Sequence, residues 1–249
     1  MNIDDFLDRI QYQGDTVVNL ACLTELQWRF LNSVPFENLD IMAGVPLDFS
    51  VENVFAKIVV NHRGGVCFEN NSLFCWVLSE IGFDVQLIAA EMFPGETFRN
   101  HFDHMALLVN LEGKTYLVDV GNGKYFGPPL DIDSPNEAVG EGVRYKIAPY
   151  AMNDLALCFF NEGKWQYRYA FQRQPVGLAD FKQVCTFIET SSESSFTQKV
   201  LVTRLDGDKR ITLSGNKLVI TGEGEQPEER NVTAEQPAVL LENFGIKIE

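Results

Sequence analysis

The sequence has few histidines, few basic residues and no obvious cysteine pairs. Its 249 residues include 3 histidines and 5 cysteines, and 20 Lys and Arg stand against 35 Asp and Glu, a formal net charge of −15. Because this charge repels phosphate polymers and anionic lipids, we expect neither a nucleic-acid partner nor a membrane surface. The charge does not exclude one phosphate-bearing cosubstrate held in a local basic or amide-rich pocket.

The cysteines are odd in number and widely spaced, at Cys22, Cys67, Cys75, Cys158 and Cys185. They make a poor disulfide framework, and no Cys-x-x-Cys or Cys/His cluster has the spacing of a zinc site. We therefore expect reduced thiols and no metal cofactor. No apolar run approaches the ~18–20 residues that a membrane span needs, and the first residues are acidic, unlike a secretory signal. The sequence thus predicts a soluble cytoplasmic protein.

The spacing of apolar residues changes near residue 84. Before it, apolar residues recur every three to four positions, as in helices, and one helix is predicted over 67–81 with Gly82 as its stop. After it, the period is two. This period predicts strands at 85–90, 104–111, 115–120 and 164–171, then a helix at 178–188 and strands at 199–205, 209–213 and 217–220, with 222–230 a charged loop. This order of predicted elements, with helices first, strands next and both types at the end, predicts an α+β fold.

Cys67 is the thiol best placed for chemistry. It follows Arg-Gly-Gly-Val at 63–66, where two glycines allow a sharp turn and close backbone contacts. The predicted helix begins at or just after this thiol, and the positive end of a helix dipole favours the thiolate. The alternative is a buried structural cysteine, the commonest fate of a free thiol. For the other four cysteines we favour that alternative.

A predicted hairpin brings a base and an acid to one face. If Glu112 and Gly113 form a two-residue turn, the numbers of paired residues sum to 225. The residue numbers of His104 and Asp119 also have an odd sum, as those of directly paired residues do, so both side chains project from the same face of the hairpin. The two residues are then diagonal neighbours, whose backbones lie ~7–8 Å apart. A three-residue turn would separate them. With Cys67 upstream, this pattern indicates a Cys–His–Asp nucleophilic site; the alternatives are a core histidine and an acid at the sheet edge.

Other candidates carry weaker signals. His62 ends a predicted helix, where we expect it to cap carbonyl groups, and His101 lies in a loop before a strand, where we expect it to be solvated. The Gly-Asn-Gly at 121–123 is by itself a weak signal for a dinucleotide site.

Four segments resemble the arylamine N-acetyltransferase family in order and spacing. They are Pro-Phe-Glu-Asn-Leu at 35–39, Arg-Gly-Gly-Val-Cys-Phe-Glu-Asn-Asn at 63–71, Asp-His at 103–104 and Tyr-Leu-Val-Asp-Val-Gly at 116–121. The resemblance continues weakly through Ser-Ser-Phe-Thr at 194–197 into the tail strands, so it covers nearly the whole chain. It implies an N-terminal helical bundle, a central antiparallel β-barrel and a C-terminal α/β lid around a cysteine-protease-like catalytic core. We place these parts at residues 1–84, 85–190 and 191–249.

The resemblance also implies an activity. Members of the family transfer acetyl from acetyl-CoA to the nitrogen of an arylamine or arylhydrazine by a ping-pong mechanism. Cys67 would carry the acetyl as a thioester, His104 would accept the thiol proton, and Asp119 would hold the imidazole. Phe36 and Phe196 match positions that line the acceptor pocket. The partners implied are acetyl-CoA and a small aromatic amine or hydrazine.

Three residues depart from the family pattern. Asn122 stands where an aromatic residue is usual, Asn70 where an apolar residue is common, and Ser192 where a proline is common. They affect the expected acceptor preference more than the chemistry. Glu37 and Arg63 are expected to form a structural ion pair near the site.

Two other functions fit the same residues. Hydrolases and transglutaminase-like enzymes also use Cys, His and Asp in this chain order. A non-catalytic descendant that binds small aromatic molecules or another protein would keep the same three residues by descent.

Overall fold

A computed structural model of the chain describes residues 1–93, 103–124, 127–140, 142–151, 154–233 and 235–248. His101, which we expected to be solvated, lies outside these residues, as does the rest of 94–102. Across the described ranges, no helix combines the length and the apolar character that crossing a membrane requires.

The helices are concentrated in the first third of the chain. They are α1 (Ile3–Arg9), α2 (Leu20–Ser33), α3 (Leu39–Met42), α4 (Val51–Phe55), α5 (Cys67–Ile81), α6 (Lys182–Thr190) and α7 (Gln236–Phe244). A π-helical turn (Ala56–Val60) continues α4, and 3-10 turns cover Leu178–Phe181 and Ser195–Thr197. The predicted helix over 67–81 is confirmed; it ends at Gly82, whose φ of +106° suits glycine.

An aromatic core holds the N-terminal helices together. Phe6, Phe30 and Phe74 are fully buried, and the rings of Phe30 and Phe74 meet edge to face with centroids 5.4 Å apart. Burying each of these side chains stabilises the fold by about 1.5–3 kcal/mol. Helix α5 contacts α1 and α4 on one side and two barrel strands on the other. Its first turn therefore lies in the interior of the molecule.

The strands form two sheets. They are β1 (Phe36–Glu37), β2 (Asp84–Met92), β3 (His104–Leu111), β4 (Lys114–Val118), β5 (Leu130–Asp131), β6 (Ala138–Gly140), β7 (Val143–Pro149), β8 (Leu155–Asn161), β9 (Lys164–Pro175), β10 (Leu201–Asp206), β11 (Lys209–Ser214), β12 (Lys217–Gly222) and β13 (Glu228–Asn231). The larger sheet is antiparallel with the order β5-β4-β3-β2-β9-β8-β7-β6. Its edge strand β5 contacts β7, so the sheet nearly closes into a barrel. The expected α+β fold with a central antiparallel barrel is confirmed.

The second sheet, in the order β1-β10-β11-β12-β13, joins the two ends of the chain. Helix α7 packs against it through a core that includes Val202, Val239 and Phe244. Strand β1 comes from the N-terminal part and pairs Phe36 with Thr203 of β10. The C-terminal α/β lid is thus fastened to the N-terminal third by backbone hydrogen bonds.

Asn38 strengthens this junction. Its side-chain nitrogen donates to the carbonyl oxygens of Phe196 and Lys199 at 2.8 and 2.9 Å, and its side-chain oxygen accepts from the Leu201 amide at 2.7 Å. Because Asn38 is buried, these bonds satisfy polar groups that would otherwise be costly to remove from water.

Several elements differ from the sequence-based prediction. The strand expected through residue 120 ends at Val118, the helix expected from 178 begins as a 3-10 turn, and β7, β8 and α7 were not predicted. Strand β8 reads Leu-Ala-Leu-Cys-Phe-Phe-Asn, a nearly continuous apolar run without alternation. The predicted charged loop overlaps β13, which is exposed throughout and pairs with β12. Neither β8 nor β13 shows the alternation of apolar and polar residues on which the strand prediction relied.

Candidate active site

The hairpin between β3 and β4 has the predicted register. Leu107 pairs with Val118, so the numbers of paired residues sum to 225. Glu112 and Gly113 form the turn with φ values of +52° and +76°, both left-handed, as in the turns that two-residue hairpins prefer. This confirms the two-residue turn.

The register brings His104 and Asp119 together. His104 begins β3, Asp119 follows β4, and the His104 Nε2 lies 2.7 Å from the Asp119 Oδ2. Both side chains are buried. The predicted diagonal contact between the two residues is confirmed at hydrogen-bond distance.

Four donors surround the Asp119 carboxylate. Oδ2 accepts from His104 and from the Tyr169 hydroxyl at 3.0 Å, and Oδ1 accepts from the Asn71 side chain at 3.0 Å and the Gly121 amide at 2.8 Å. Burial by itself would raise the pKa of Asp119, but His104 and the other donors hold that pKa below its usual range. The carboxylate therefore stays ionised although it is fully buried.

The electrostatics favour a protonated imidazole. Burial would lower the pKa of His104, but the Asp119 carboxylate and a hydrogen bond with the Cys67 side chain outweigh burial and raise the pKa to about 10. With Nε2 bonded to Asp119, Nδ1 is the ring nitrogen left for the sulfur. The Cys67 sulfur therefore lies beside a cationic imidazole and at the start of α5.

Two close backbone contacts fix Cys67 at the start of α5. A Cβ on Gly64 would lie 2.0 Å from the carbonyl oxygen of Pro35, and a Cβ on Gly121 would lie 2.6 Å from the Cα of Cys67. Any side chain at either position would force the backbone apart. Glycine at 64 therefore sets the approach to the helix, and glycine at 121 lets the segment after Asp119 touch the nucleophile candidate.

A second group of charges lies behind the first turn of α5. It consists of Glu37, Asp40, Lys57, Arg63 and Glu69, and we call it the ionic cluster. Arg63 bridges Glu37 and Asp40 at 2.8 Å, and Lys57 bridges Asp40 and Glu69 at 2.7 Å. The expected pair between Glu37 and Arg63 is confirmed, and three further residues extend it.

Glu69 links the ionic cluster to the site. Its Oε2 accepts from the Val66 amide at 3.0 Å, one residue before Cys67. Burial raises the pKa of Glu69 to about 7, although the Lys57 ammonium acts against this rise. Glu69 therefore caps the helix that presents the thiol and titrates well above an ordinary glutamate.

Cys67 and His104 open onto a cavity of about 560 Å³. Phe36 and Phe196 line the same cavity, with ring centroids 6.1 Å apart. The volume is in the range of small-molecule sites. The cavity thus contains both predicted phenylalanines together with the thiol and the imidazole. Three threonines of the C-terminal sheet form part of the wall: Thr203, Thr212 and Thr221.

Two arginines of the cavity wall hold the turn after Asp119. Arg168 donates from Nε to the side-chain oxygen of Asn122 at 2.7 Å and from Nη2 to its carbonyl oxygen at 3.0 Å. Arg210 donates to the carbonyl oxygen of Gly123 at 3.0 Å. The departure at Asn122 thus supplies a polar anchor for an arginine.

The sequence reasoning did not single out four residues of this site. Asn71 was detectable, since it lies one helical turn after Cys67 and therefore shares its face. Tyr169, Arg168 and Arg210 come from β9 and β11, which no local pattern connects to Cys67. Only the folded barrel and lid bring them to the site.

The other two departures and His62 do not line the cavity. Asn70 is fully buried, and its side-chain amide makes no hydrogen bond within the described part of the chain. Ser192 and His62 are exposed. His62 follows the π-helical turn, two residues after Val60, with a left-handed φ of +53°.

Comparisons with known proteins agree with one another. An N-acetyltransferase family model matches residues 19–249. The arylamine N-acetyltransferase of Mycobacterium bovis is 31% identical, over 100% of this chain and 90% of its own, and that of Mycolicibacterium smegmatis is 29% identical, over 100% and 93%. The Mycobacterium marinum enzyme superposes with a TM-score of 0.91 at 30% identity, over 98% of this chain and 93% of its own. A second structure of that enzyme, in complex with CoA, gives a TM-score of 0.90 at 29% identity over 98% and 93%.

Proposed function

The chain belongs to the arylamine N-acetyltransferase family, and on this premise we propose that it transfers acetyl from acetyl-CoA to the nitrogen of an arylamine or arylhydrazine. The observation that carries the proposal is that His104 bonds to both Asp119 and the Cys67 side chain, while Cys67 and His104 line the cavity. The CoA complex of the Mycobacterium marinum relative supports the choice of donor.

The first half-reaction loads the enzyme. With the Cys67 proton already held by His104, the thiolate attacks the acetyl carbonyl carbon of acetyl-CoA. A new carbon–sulfur bond forms to Cys67, the bond to the CoA sulfur breaks, and the leaving CoA thiolate takes the proton from the imidazolium. One thioester replaces another, so the step is nearly balanced in energy.

The second half-reaction releases the product. The neutral amine nitrogen attacks the acetyl carbon on Cys67, the carbon–nitrogen bond forms, and the carbon–sulfur bond breaks. The proton lost by nitrogen passes through His104 back to the Cys67 sulfur. Arylamines are weakly basic and reach the site uncharged at neutral pH. An apolar wall that includes Phe36 and Phe196 suits such a ring.

The remaining contacts orient the imidazole. Asp119 holds the His104 Nε2 and leaves Nδ1 for the sulfur, while Asn71, Gly121 and Tyr169 fix the carboxylate. These donors come from α5, the β4 end and β9, so the orientation depends on the packing of three elements.

Mass spectrometry of the intact chain tests the proposal. Incubation with acetyl-CoA is expected to add one acetyl group at Cys67, release free CoA and, after an arylamine is added, return the unmodified enzyme. Cys67→Ala abolishes the adduct, whereas the matched control Cys75→Ala keeps it, since Cys75 does not line the cavity.

Two results would contradict this proposal. Cleavage of amide substrates without an acetyl adduct would identify a hydrolase. Binding of small aromatics that Cys67→Ala leaves unchanged, with no turnover of any arylamine, would identify a non-catalytic binding protein.

A further inference from the structure

A second cavity lies where the helical, barrel and lid parts of the chain meet. We call it the helix–lid cavity; it has a volume of about 560 Å³, in the range of small-molecule sites. It shares none of its described lining residues with the cavity beside Cys67. Helix α2 and the turn between β10 and β11 supply much of its wall. The residues that matter below are Gln27, Trp28, Leu31, Leu205, Asp208 and Glu223.

Gln27 leaves a buried acceptor at the helix–lid cavity. Its side chain is fully buried, and its Nε2 donates to the Gly127 carbonyl oxygen at 2.6 Å. Because a carbonyl oxygen only accepts, this bond fixes which end of the Gln27 amide is the nitrogen. The other end, Oε1, is buried and has no hydrogen-bond partner in the described part of the chain. A buried acceptor without a donor is costly, so a ligand that donates an N–H to Oε1 gains a bond that the free chain lacks.

The charge of the helix–lid cavity favours a cation. Asp208 and Glu223 line it, and neither forms a hydrogen bond or salt bridge within the described ranges. The neighbouring Lys209 is itself paired with Glu225 at 2.8 Å. The described lining residues include no lysine, arginine or histidine. In a chain of net charge −15, such a wall attracts positive charge.

The remaining wall suits an organic cation. The Trp28 indole is 45% exposed, and Leu31 and Leu205 add apolar surface. Arg29 already lies over the Trp28 ring, 5.3 Å from its centroid, but its charge is offset by Glu25 at 2.7 Å. Among the residues that the structure describes, no group of three or more His, Cys, Asp or Glu could hold a metal ion. An apolar body with a charged end therefore fits this wall better than a bare ion.

We infer that the helix–lid cavity binds a small organic amine in its ammonium form. One N–H donates to the Gln27 Oε1, and the positive charge faces Asp208 and Glu223. The apolar body packs against Trp28. This inference is independent of the proposed acetyl transfer, because Cys67, His104 and Asp119 are not among the described residues of this cavity.

A bound amine would also strengthen the attachment of the lid to α2. The turn between β10 and β11 is held to this helix by the Gly207 amide, which donates to the Asn32 side chain at 2.8 Å. A ligand that contacts both sides of this junction binds only the assembled fold, so it raises the melting temperature.

Three probes with the same phenylethyl body separate the charge from the donor. At pH 7, 2-phenylethylamine carries both, its N,N,N-trimethyl derivative carries the charge alone, and 2-phenylethanol carries a donor alone. Isothermal titration calorimetry of the full chain, without any acetyl donor, measures each Kd. We expect the primary amine to bind about tenfold more tightly than either of the other probes, the effect of one charge-assisted hydrogen bond.

Trp28 reports the location of the bound probe. The chain has three tryptophans, so the double variant Trp76→Phe/Trp165→Phe leaves the Trp28 indole as the one tryptophan fluorophore. Titration of this variant with 2-phenylethylamine is expected to change its emission with the Kd that calorimetry gives.

Two variants test the contacts. Gln27→Met removes the acceptor but keeps a side chain of similar length, and it is expected to raise the Kd of 2-phenylethylamine about tenfold without affecting the trimethyl derivative. Since this variant also loses the bond to Gly127, circular dichroism checks its fold. Asp208→Asn, at an exposed position, should weaken both amines severalfold at low salt and less at high salt. Glu80→Gln, which removes an exposed carboxylate of α5 outside the cavity, is the matched control and should leave every Kd unchanged.

Three results would overturn the inference. Equal Kd values for the three probes would show that neither the charge nor the donor is recognised. Binding that leaves the emission of Trp28 unchanged, or that Gln27→Met and Asp208→Asn both leave unchanged, would place the amine elsewhere. No saturable binding below about 10 mM would mean that water alone satisfies Gln27. None of these results bears on the acetyl adduct at Cys67, which tests the proposed function separately.

Discussion

Two groups of polar and charged side chains, one buried and one partly buried, flank the first turn of α5, and only the buried one faces the cavity. The site group consists of Cys67, His104 and Asp119, and two of its members line the cavity. The ionic cluster has more charges, three carboxylates against two cations, but none of its members is among the described residues that line the cavity. Buried charge alone therefore does not mark a reactive site; access to a ligand does.

The two groups also differ in how their charges are compensated. Asp119 receives four hydrogen bonds and has one cationic partner, so its geometry is fixed. In the ionic cluster, Asp40 is shared by Lys57 and Arg63 and serves as a link between two ion pairs. The site group thus orients one imidazole, and the ionic cluster ties α3, the π-helical turn and α5 together.

Removal of the base should have the largest effect on transfer. His104→Ala is expected to lower the rate of arylamine acetylation by roughly 10²–10⁴-fold, because the Cys67 thiol loses the group that holds its proton. Steady-state kinetics with acetyl-CoA measure this loss, and circular dichroism checks that the fold persists. A well-folded His104→Ala that retains a rate within tenfold of the parent would remove His104 from the proposed mechanism.

Disruption of the ionic cluster should affect stability instead. Lys57→Met leaves Glu69 buried without its cation, which is expected to lower the free energy of unfolding by about 3–5 kcal/mol. The rate per folded molecule should change only a few-fold. Urea denaturation measures the first quantity and kinetics the second. Lys209→Met, which breaks an exposed pair with Glu225, is the matched control and should leave the free energy of unfolding nearly unchanged.

A loss of transfer in Lys57→Met as large as that in His104→Ala, without a loss of stability, would contradict the separation of the two groups.

The pH dependence of stability separates the two groups further. Folding raises the pKa of Glu69 from 4.5 to about 7, so the folded chain binds the extra proton and this contribution to stability is lost as pH rises through that window. Folding raises the pKa of His104 from 6.5 to about 10, so its contribution is lost at higher pH, between those values. Urea titrations at a series of pH values measure the free energy of unfolding in each window. Glu69→Gln should remove its pH dependence only between pH 4.5 and about 7, and His104→Gln only between pH 6.5 and about 10. A single window affected by both variants would show that the groups titrate together.

The smallest expected effect concerns Tyr169. Tyr169→Phe removes one of the four hydrogen bonds to Asp119 and keeps the ring beside His104, with ring centroids 5.0 Å apart in the parent. The loss of about 1 kcal/mol of orientation should lower kcat about fivefold with KM nearly unchanged. Retention of full kcat would mean that three donors suffice to hold the carboxylate.

The part of the site that was predictable from sequence depends on local rules. The Glu112–Gly113 turn fixes the hairpin register, and that register places His104 beside Asp119. The double glycine and the helical period place Cys67 at a helix start. By contrast, Tyr169 and Arg168 reach the site only because β9 lies beside β2 in the barrel, an arrangement that depends on pairing between distant strands.

The same limit applies to the fold. Periodicity predicted the strands with one buried face, such as β3, but it did not detect β8, whose apolar residues do not alternate, or β13, whose polar residues carry no pattern. The attachment of β1 to the C-terminal sheet has no local signal in its two residues, because it arises from backbone pairing of Phe36 with Thr203, 167 positions further along the chain.

The pairing of β1 with β10 has a consequence for biosynthesis. During translation, the segments that carry Cys67, His104 and Asp119 leave the ribosome well before β10, which begins only at Leu201. Strand β10 completes the wall beside Phe36, so this wall forms last. Until then the backbone edge of β1 has no neighbour on that side, and the pocket stands open to water and to other nascent proteins. Enzyme activity therefore starts only after the final fifth of the polypeptide has emerged, and a prematurely terminated product would expose a thiol without a finished binding site.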